Sequence, residues 1–372
     1  MHACRKQRVT RRRFLQWAGF VVSSGYAVPK VLAQDAFGQA LLKGAGSTFV
    51  LPLVQQWLKL YRGASVGAEF YSGNTGLESD LLGRAALDYE AIGSLGGLLR
   101  LQAKAVDFAL SELPLSSQDL ARYGLIQIPV VSGGIAIVTH VPGLNGALRL
   151  DGVTVAAIYR GRIVRWNDAA IAVLNPGIGL PDEAIQPIHR IEGSGSTYTL
   201  TRYLATQDAE WRNSVGVDAV VRWPVGSAVR GSSGVTQALV STPGSIGYLD
   251  RVQAEASGLQ LAQLKNRDGY FVTPSAKSVE AATQAVPWQA GQDTQPSFID
   301  APGEASYPIV ATVLALLNGQ ARSSGDRRAR AFLAWALANG QNSARDLGYV
   351  ALPASLARQV REQLLMPSNS PQ

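Results

Sequence analysis

The residues best equipped for chemistry lie in His189-Arg190-Ile191-Glu192-Gly193-Ser194-Gly195-Ser196-Thr197, which leads into the apolar-periodic run Tyr198–Leu204. Glycine and serine let backbone N–H groups approach a guest closely. A helix beginning here would aim its unpaired donors and the positive end of its dipole at the same spot. Arg190 adds a planar fork of charged donors that matches one face of an oxyanion. Glu192 contradicts that invitation, because a carboxylate repels an anion. The contradiction disappears if the guest is an oxyanion that still carries a proton, whose O–H a carboxylate accepts.

Two further turns carry the same device, Gly46-Ser47-Thr48-Phe49 and Gly93-Ser94-Leu95-Gly96. Each helix terminus contributes roughly 0.3–1 kcal/mol and each charged hydrogen bond roughly 1.5–3 kcal/mol. Many such contacts together outweigh the desolvation of a small dianion, whereas two positive groups alone do not. The cage is therefore expected to be rich in dipoles and poor in net charge.

The elements that must position these turns alternate. Leu41–Phe49 reads as strand, glycine turn and helix start, with Leu53, Val54, Trp57, Leu58 and Tyr61 spaced along one helical face to about Tyr61. Asp88–Ile92 and Ala105–Leu110 read as short strands, the second ending at Ser111-Glu112-Leu113-Pro114, before a helix capped by Ser116 or Ser117. Ile126–Val131 and Gly134–His140 are β-branched runs of the kind found in buried parallel sheets. Residues 153–173 read as helical with a break at Gly161. Ile185–Arg190 is the strand that feeds the central stretch, and its helix runs from about Thr197 to Thr206. Residues 220–225, the turn Gly231-Ser232-Ser233-Gly234 and a helix to Val240 repeat the theme, and Gly244–Tyr248 opens a strand. Residues 286–306 carry no period and read as a crossing loop. Tyr307–Leu317 reads as a strand, and Asp326–Ala338 as a helix with Phe332 and Trp335 inward. Strands alternating with helices argue for α/β lobes with mainly parallel sheets, whose ligands sit beyond the carboxyl ends of the strands.

At 372 residues the chain is long enough for two domains, and 47% apolar with 16% charged residues describes a globular protein. The net charge of +7 suggests nucleic acid and misleads. Residues 1–33 hold seven basic residues and no acid, so of 34 basic residues 27 remain against 27 acidic ones. That segment reads as a cleaved signal. Thr10-Arg11-Arg12-Arg13-Phe14-Leu15-Gln16 resembles the twin-arginine export motif, Phe14–Val28 is a modest apolar run, and Val31-Leu32-Ala33 offers a small-residue exit. The single cysteine, Cys4, lies inside it. A mature chain from residue 34 therefore has no disulfide, no thiolate nucleophile and no cysteine for a lipid anchor, and is expected free in the periplasm or outside the cell.

A catalyst would need a nucleophile with a base, or metal ligands. The expected mature chain holds two histidines, His140 and His189; the first ends an apolar strand, and alternation turns the second away from Arg190. No H-E-x-x-H or G-x-x-x-x-G-K-[ST] motif occurs, and G-x-S-x-G occurs once, as Gly63-Ala64-Ser65-Val66-Gly67. No catalytic residue, metal or cofactor is expected. A secreted phosphatase that reuses the cage, a non-transport sensor and a surface protein are the alternatives.

The chain resembles the periplasmic phosphate-binding proteins of the Pst ABC-type uptake system, the PstS family. The resemblance is carried by GAGSTF (44–49), DYEAIGSLGG (88–97), AVDFALSELPLS (105–116) and RIEGSGSTYTLTRYL (190–204). DGVTVAAIYRGRIVRWND (151–168), RWPVG (222–226), GSIGYL (244–249) and DLGYVALP (346–353) extend it over about residues 41–365, in order. It implies a bilobal periplasmic-binding-protein fold of type II. Lobe 1 would be residues 34–131 plus 308–372 and lobe 2 residues 132–307, joined by two hinge crossings near Val131 and Tyr307.

The resemblance also implies the ligand, inorganic phosphate, with arsenate expected to compete, and delivery by a monomer to an inner-membrane ABC permease. Thr48, Phe49, Ser94, Arg190, Ser194, Gly195 and Ser196 fall on the family's phosphate donors, with Ser196 where threonine is usual. Glu112 and Glu192 stand where the family has aspartates: one accepts the ligand's proton and rejects sulfate, the other pairs with the arginine. Glutamate reaches one methylene further, about 1.5 Å, which matters in a close-fitting cage. An insertion between Ser65 and Ala86 is a third departure, expected as a surface hairpin or helix near the cleft. Its Tyr71-Ser72-Gly73-Asn74-Thr75-Gly76 imitates the Ser94 turn, but the spacing of Ser94 to Val106-Asp107-Phe108 favours Ser94.

Overall fold

The computed structural model describes residues 42–71, 87–144, 146–288 and 297–366, with the backbone alone from 62 to 71. The signal segment and the Tyr71–Gly76 turn with the rest of the insertion to residue 86 lie outside the described residues, apart from the helix that reaches Tyr71. Eight strands form one path: β1 Leu42–Gly46, β2 Leu87–Glu90, β3 Phe108–Ser111, β4 Leu125–His140, β5 Gln186–Arg190, β6 Ser227–Val229, β7 Ser245–Asp250 and β8 Val310–Asn318. Their order is β2-β1-β3-β8-β4-β7-β5-β6. The helices that position the site or pack beside it are α1 Leu51–Tyr71, α2 Ser94–Gln102, α3 Ser117–Tyr123, α4 Gly152–Tyr159, α5 Gly195–Gln207, α6 Gly231–Ser241, α7 Arg251–Ala256 and α8 Ser324–Asn339. Arg149–Leu150, Gln263–Lys265 and Phe271–Val272 make a small second sheet.

Both flanks of the main sheet are parallel, β2-β1-β3 on one side and β7-β5-β6 on the other, so the strand–turn–helix units recognised in sequence follow the expected pairing. The centre is different. Residues 126–131 and 134–140 are one strand, β4, and it is antiparallel to β8 up to Gly134 and to β7 from Ile135. A parallel strand expected from apolar content became antiparallel because burial on both faces produces the same continuous apolar run in either direction. Gly133, between the two runs, is a close approach: a Cβ there would lie 2.6 Å from Phe49 Cζ. The ring of Phe49, in the first glycine turn, thus packs onto the strand shared by both flanks.

Other boundaries also move. The helix expected to end near Tyr61 extends to Tyr71. Residues 220–225 are irregular, and the strand lies at 227–229. Gly231-Ser232-Ser233-Gly234 is no separate turn but the first turn of α6. The helical reading of 153–173 resolves into α4 and a short helix, Ala169–Ala172, each capped by an aspartate, Asp151 and Asp168. Ser116 caps α3 by accepting from the Asp119 amide, and Ser323 forms a capping box at the head of α8.

Two aromatic clusters hold the flanks. Phe332 of α8 is fully buried, with ring centroids 5.2 Å from Tyr61, 5.7 Å from Phe108, 6.3 Å from Trp335 and 6.4 Å from Trp57. Because one side chain joins a strand and two helices, Phe332→Ala is expected to remove about 3–5 kcal/mol of stability. Chemical denaturation measures this; a loss below about 1 kcal/mol would show that the cluster collapses freely into the gap. On the other flank Tyr159, Trp211 and Tyr248 gather around Trp223, with Tyr248 stacked on it and the other two tilted or edge-on.

Candidate functional site

The parallel strands of both flanks end at the same place. The turn after β1 presents Ser47, Thr48 and Phe49; α2 opens with Ser94; Glu112 follows β3 directly; Arg190 is the last residue of β5; and α5 opens with its cap Ser194 and then Gly195 and Ser196. All of these but Phe49 are polar or glycine, and Ser47, Thr48, Ser94, Glu112, Arg190, Ser194 and Ser196 are nonetheless buried. Buried polar groups require partners, and these find them mostly in one another.

Glu112 lies at the centre, 4% exposed. Its Oε1 accepts from the Ser47 hydroxyl, and its Oε2 accepts from the Ser94 hydroxyl at 2.8 Å. Burial pushes this carboxyl up, and the two hydroxyls and the nearby Arg190 charge oppose that. Ser94 Oγ in turn accepts from the Gly195 amide at 3.1 Å, across 101 residues of sequence. The Leu95 amide donates to Gly193 O at 3.2 Å, so both ends of the α2 turn meet the α5 turn. Gly195 is required here by proximity: a Cβ would fall 2.0 Å from Glu112 Oε2 and 2.6 Å from Ser94 Oγ.

Arg190 points into the same volume, 4% exposed. Its Nε donates to Glu192 Oε1 at 2.5 Å, and its Nη2 donates to the same oxygen. Glu192 Oε1 also accepts from the Gly231 amide at the head of α6, at 3.0 Å. Behind the arginine, its own amide donates to Tyr248 Oη at 3.1 Å, and that oxygen meets Thr197 Oγ1 at 2.6 Å. Burial pushes the Tyr248 phenol up to about 12, so it remains a neutral hydrogen-bonding post.

The Thr48–Phe49 turn is held from both flanks of the sheet. Thr48 Oγ1 and Ser232 Oγ of α6 lie 2.8 Å apart. Gln253 of α7 donates from Nε2 to Thr48 O at 3.0 Å, and Tyr349 Oη donates to Phe49 O at 2.9 Å. Asp250, the cap of α7, also accepts from Gln253, and burial pushes its carboxyl up to about 8. Both histidines stand aside. His189 stacks on Trp223 at 4.9 Å and 14°, with burial pushing its imidazole down, and His140 Nδ1 meets Leu239 O at 2.9 Å.

All nine residues singled out in sequence therefore converge. Ser47, Ser232, Gly231, Gln253 and Tyr248 were missed. Ser47 and Gly231-Ser232 had the same glycine–serine signal at a helix start as the residues that were chosen. Gln253 and Tyr248 had no local signal, because one sits mid-helix and the other mid-strand. The arrangement presents amides, hydroxyls and one guanidinium around a small volume, with two carboxylates among them. Such a wall suits a small protonated oxyanion.

A chain whose parallel strands end in a shared, buried, donor-lined cleft is built as a PBP superfamily domain, and a family profile of that description matches residues 32–339. The phosphate-binding protein PstS of Xylella fastidiosa is 37% identical over 321 residues, spanning 86% of this chain and 83% of that one. The phosphate-binding protein PstS of Haemophilus influenzae is 34% identical over 330 residues, spanning 88% and 93%. A solved structure of a high affinity periplasmic phosphate-binding protein, bound with phosphate, has the same fold, with a TM-score of 0.67, 23% identity and coverage of 89% and 95%. The chain belongs to the PstS family of phosphate-binding proteins.

Proposed function

We propose that the cleft captures inorganic phosphate in the periplasm and delivers it to an inner-membrane ABC permease, without chemical conversion. Arsenate, equal in charge and protonation, competes. The observation that carries this reading is the burial of Glu112 and Arg190 together, among hydroxyls and amides drawn from both flanks of the sheet. Arg190 supplies the charge; Thr48, Phe49, Ser94, Ser194, Gly195 and Ser196 donate hydrogen bonds; Glu112 accepts a ligand hydrogen; and Glu192 orients the guanidinium. Sulfate, which has no hydrogen to offer, meets Glu112 oxygen against oxygen.

The two flanks act as lobes, residues 34–131 with 308–372 and residues 132–307. The chain crosses between them within β4 and again just before β8, and the lobes close on the ligand about these crossings. Export through the twin-arginine route, as a free monomer, completes the reading. Among the described residues no helix is long and apolar enough to cross a membrane.

Calorimetry of the protein from residue 34 with phosphate, arsenate and sulfate tests the reading. Glu112→Gln is expected to weaken phosphate by about 10–100-fold, the value of one charged hydrogen bond, and to admit sulfate. Unchanged affinity for both anions would reject the role of Glu112, and phosphate binding absent from the unaltered protein would reject the function.

A further inference from the structure

Glu192 carries an oxygen that its orienting role does not use. Its Oε1 takes both Arg190 donors and the Gly231 amide, whereas Oε2 is buried and has no hydrogen-bond partner. The side chain is only 9% exposed. An acceptor left buried and unpaired is unfavourable, the more so when charged. A guest that brings a donor removes that penalty. The segments around this carboxylate are walls of the cage: Arg190, the head of α6, and Gly93, where a Cβ would come within 3.1 Å of Glu192 Cγ.

The geometry points to Glu192 Oε2 as a second proton-reading group beside Glu112, so that the site selects phosphate in its doubly protonated, singly charged form. The inference rests on the assignment of the cleft to phosphate and deepens it. The singly protonated dianion satisfies one carboxylate and turns a bare oxygen toward the other. The monoanion satisfies both. Charge agrees with hydrogen bonding: Glu112 and Glu192 against Arg190 leave these three side chains with an excess negative charge, which opposes a monoanion less than a dianion.

The charged and titratable groups facing Glu192 are Arg190 on β5, whose charge also reaches Glu112 beyond β3, and the neutral phenol of Tyr248 on β7. Arg230, before α6, is exposed to solvent. Asp250, whose carboxyl burial pushes up to about 8, is near enough to Glu112 to be raised further by its charge.

Proton uptake on binding tests the proposal. Phosphate is titrated into the unaltered protein and into Glu192→Gln, in mildly alkaline buffers of different ionisation enthalpy, where free phosphate is mostly the dianion. The unaltered protein is expected to take up about one proton per phosphate bound, and its affinity to fall about tenfold per pH unit above the second ionisation of phosphate. The count is the same whether the shared hydrogen sits on the guest or on Oε2. Glu192→Gln is expected to take up almost none and to lose the slope. Asp250 is common to both proteins, so the difference isolates Glu192. Glu192→Asp, which keeps the charge beside Arg190 but withdraws the oxygen by about 1.5 Å, is expected to reduce the uptake as well; it serves as the readout if the glutamine variant does not fold. Equal uptake by the unaltered protein and whichever variant folds overturns the role of Glu192, as does phosphate binding with no uptake at all. An unaltered protein that binds neither phosphate nor arsenate overturns the phosphate assignment itself, and this inference with it.

Discussion

Gly195→Ala is expected to lower phosphate affinity by more than about 100-fold, the equivalent of about 3 kcal/mol, while the protein still folds. Local propensity argues for the opposite outcome, since alanine stabilises a helix by about 1 kcal/mol over glycine. Sterics decide it. The added methyl would lie 2.0 Å from Glu112 Oε2, 2.6 Å from Ser94 Oγ and 2.7 Å from Glu112 Cβ. These atoms come from the opposite flank of the sheet, so separating the flanks relieves the clash without unfolding either one. Separation also breaks the bond from the Gly195 amide to Ser94 and the one from the Leu95 amide to Gly193. A thermal melt beside the calorimetry separates the two effects. An alanine variant that binds phosphate within about threefold of the unaltered protein, a gap of about 0.7 kcal/mol, would show that the flanks need not approach this closely.

Arg190→Met removes the one guanidinium that faces the buried carboxylates from β5, and two losses are expected. Stability falls by about 3–5 kcal/mol, because Glu192 is left charged, 9% exposed and supported only by the Gly231 amide. Phosphate affinity falls by about 1,000-fold or more, since the charged donor and the orientation of its neighbour disappear together. The double variant Arg190→Met with Glu192→Gln recovers most of the stability and none of the affinity, which separates the ion pair's part in folding from its part in binding. Lysine at 190 restores charge without the fork and recovers only part of the binding. Affinity within about tenfold of the unaltered protein in Arg190→Met, about 1.4 kcal/mol, would mean that dipoles alone hold the anion.

Much of this arrangement was legible before any fold was known. The apolar spacing of Leu53, Val54 and Trp57 marked α1, and the glycine–serine starts at 46–49, 93–96 and 193–196 marked three walls of the site. The resemblance to the PstS family then supplied nine candidate site residues, of which all but the half-buried Glu192 are buried. Errors clustered where the signal was ambiguous in principle. The apolar runs on either side of Ser132-Gly133 have the same pattern in parallel and antiparallel sheets, and nothing local shows that the approach of Phe49 makes Gly133 necessary. Gly231-Ser232 had the right composition but no distinguishing mark, because nothing local told it apart from any other helix start.

The amino-acid sequence by itself determined which segments become strand, turn and helix, and which turns carry donors, because these follow from period and residue type over short stretches of chain. Only the tertiary structure decided which turns meet. Thr48 touches Ser232 across 184 residues, and one oxygen of Glu192 lies against Arg190 while the other has no partner. Such contacts depend on the order of strands in the sheet and on the packing of whole flanks, which no short stretch of sequence contains.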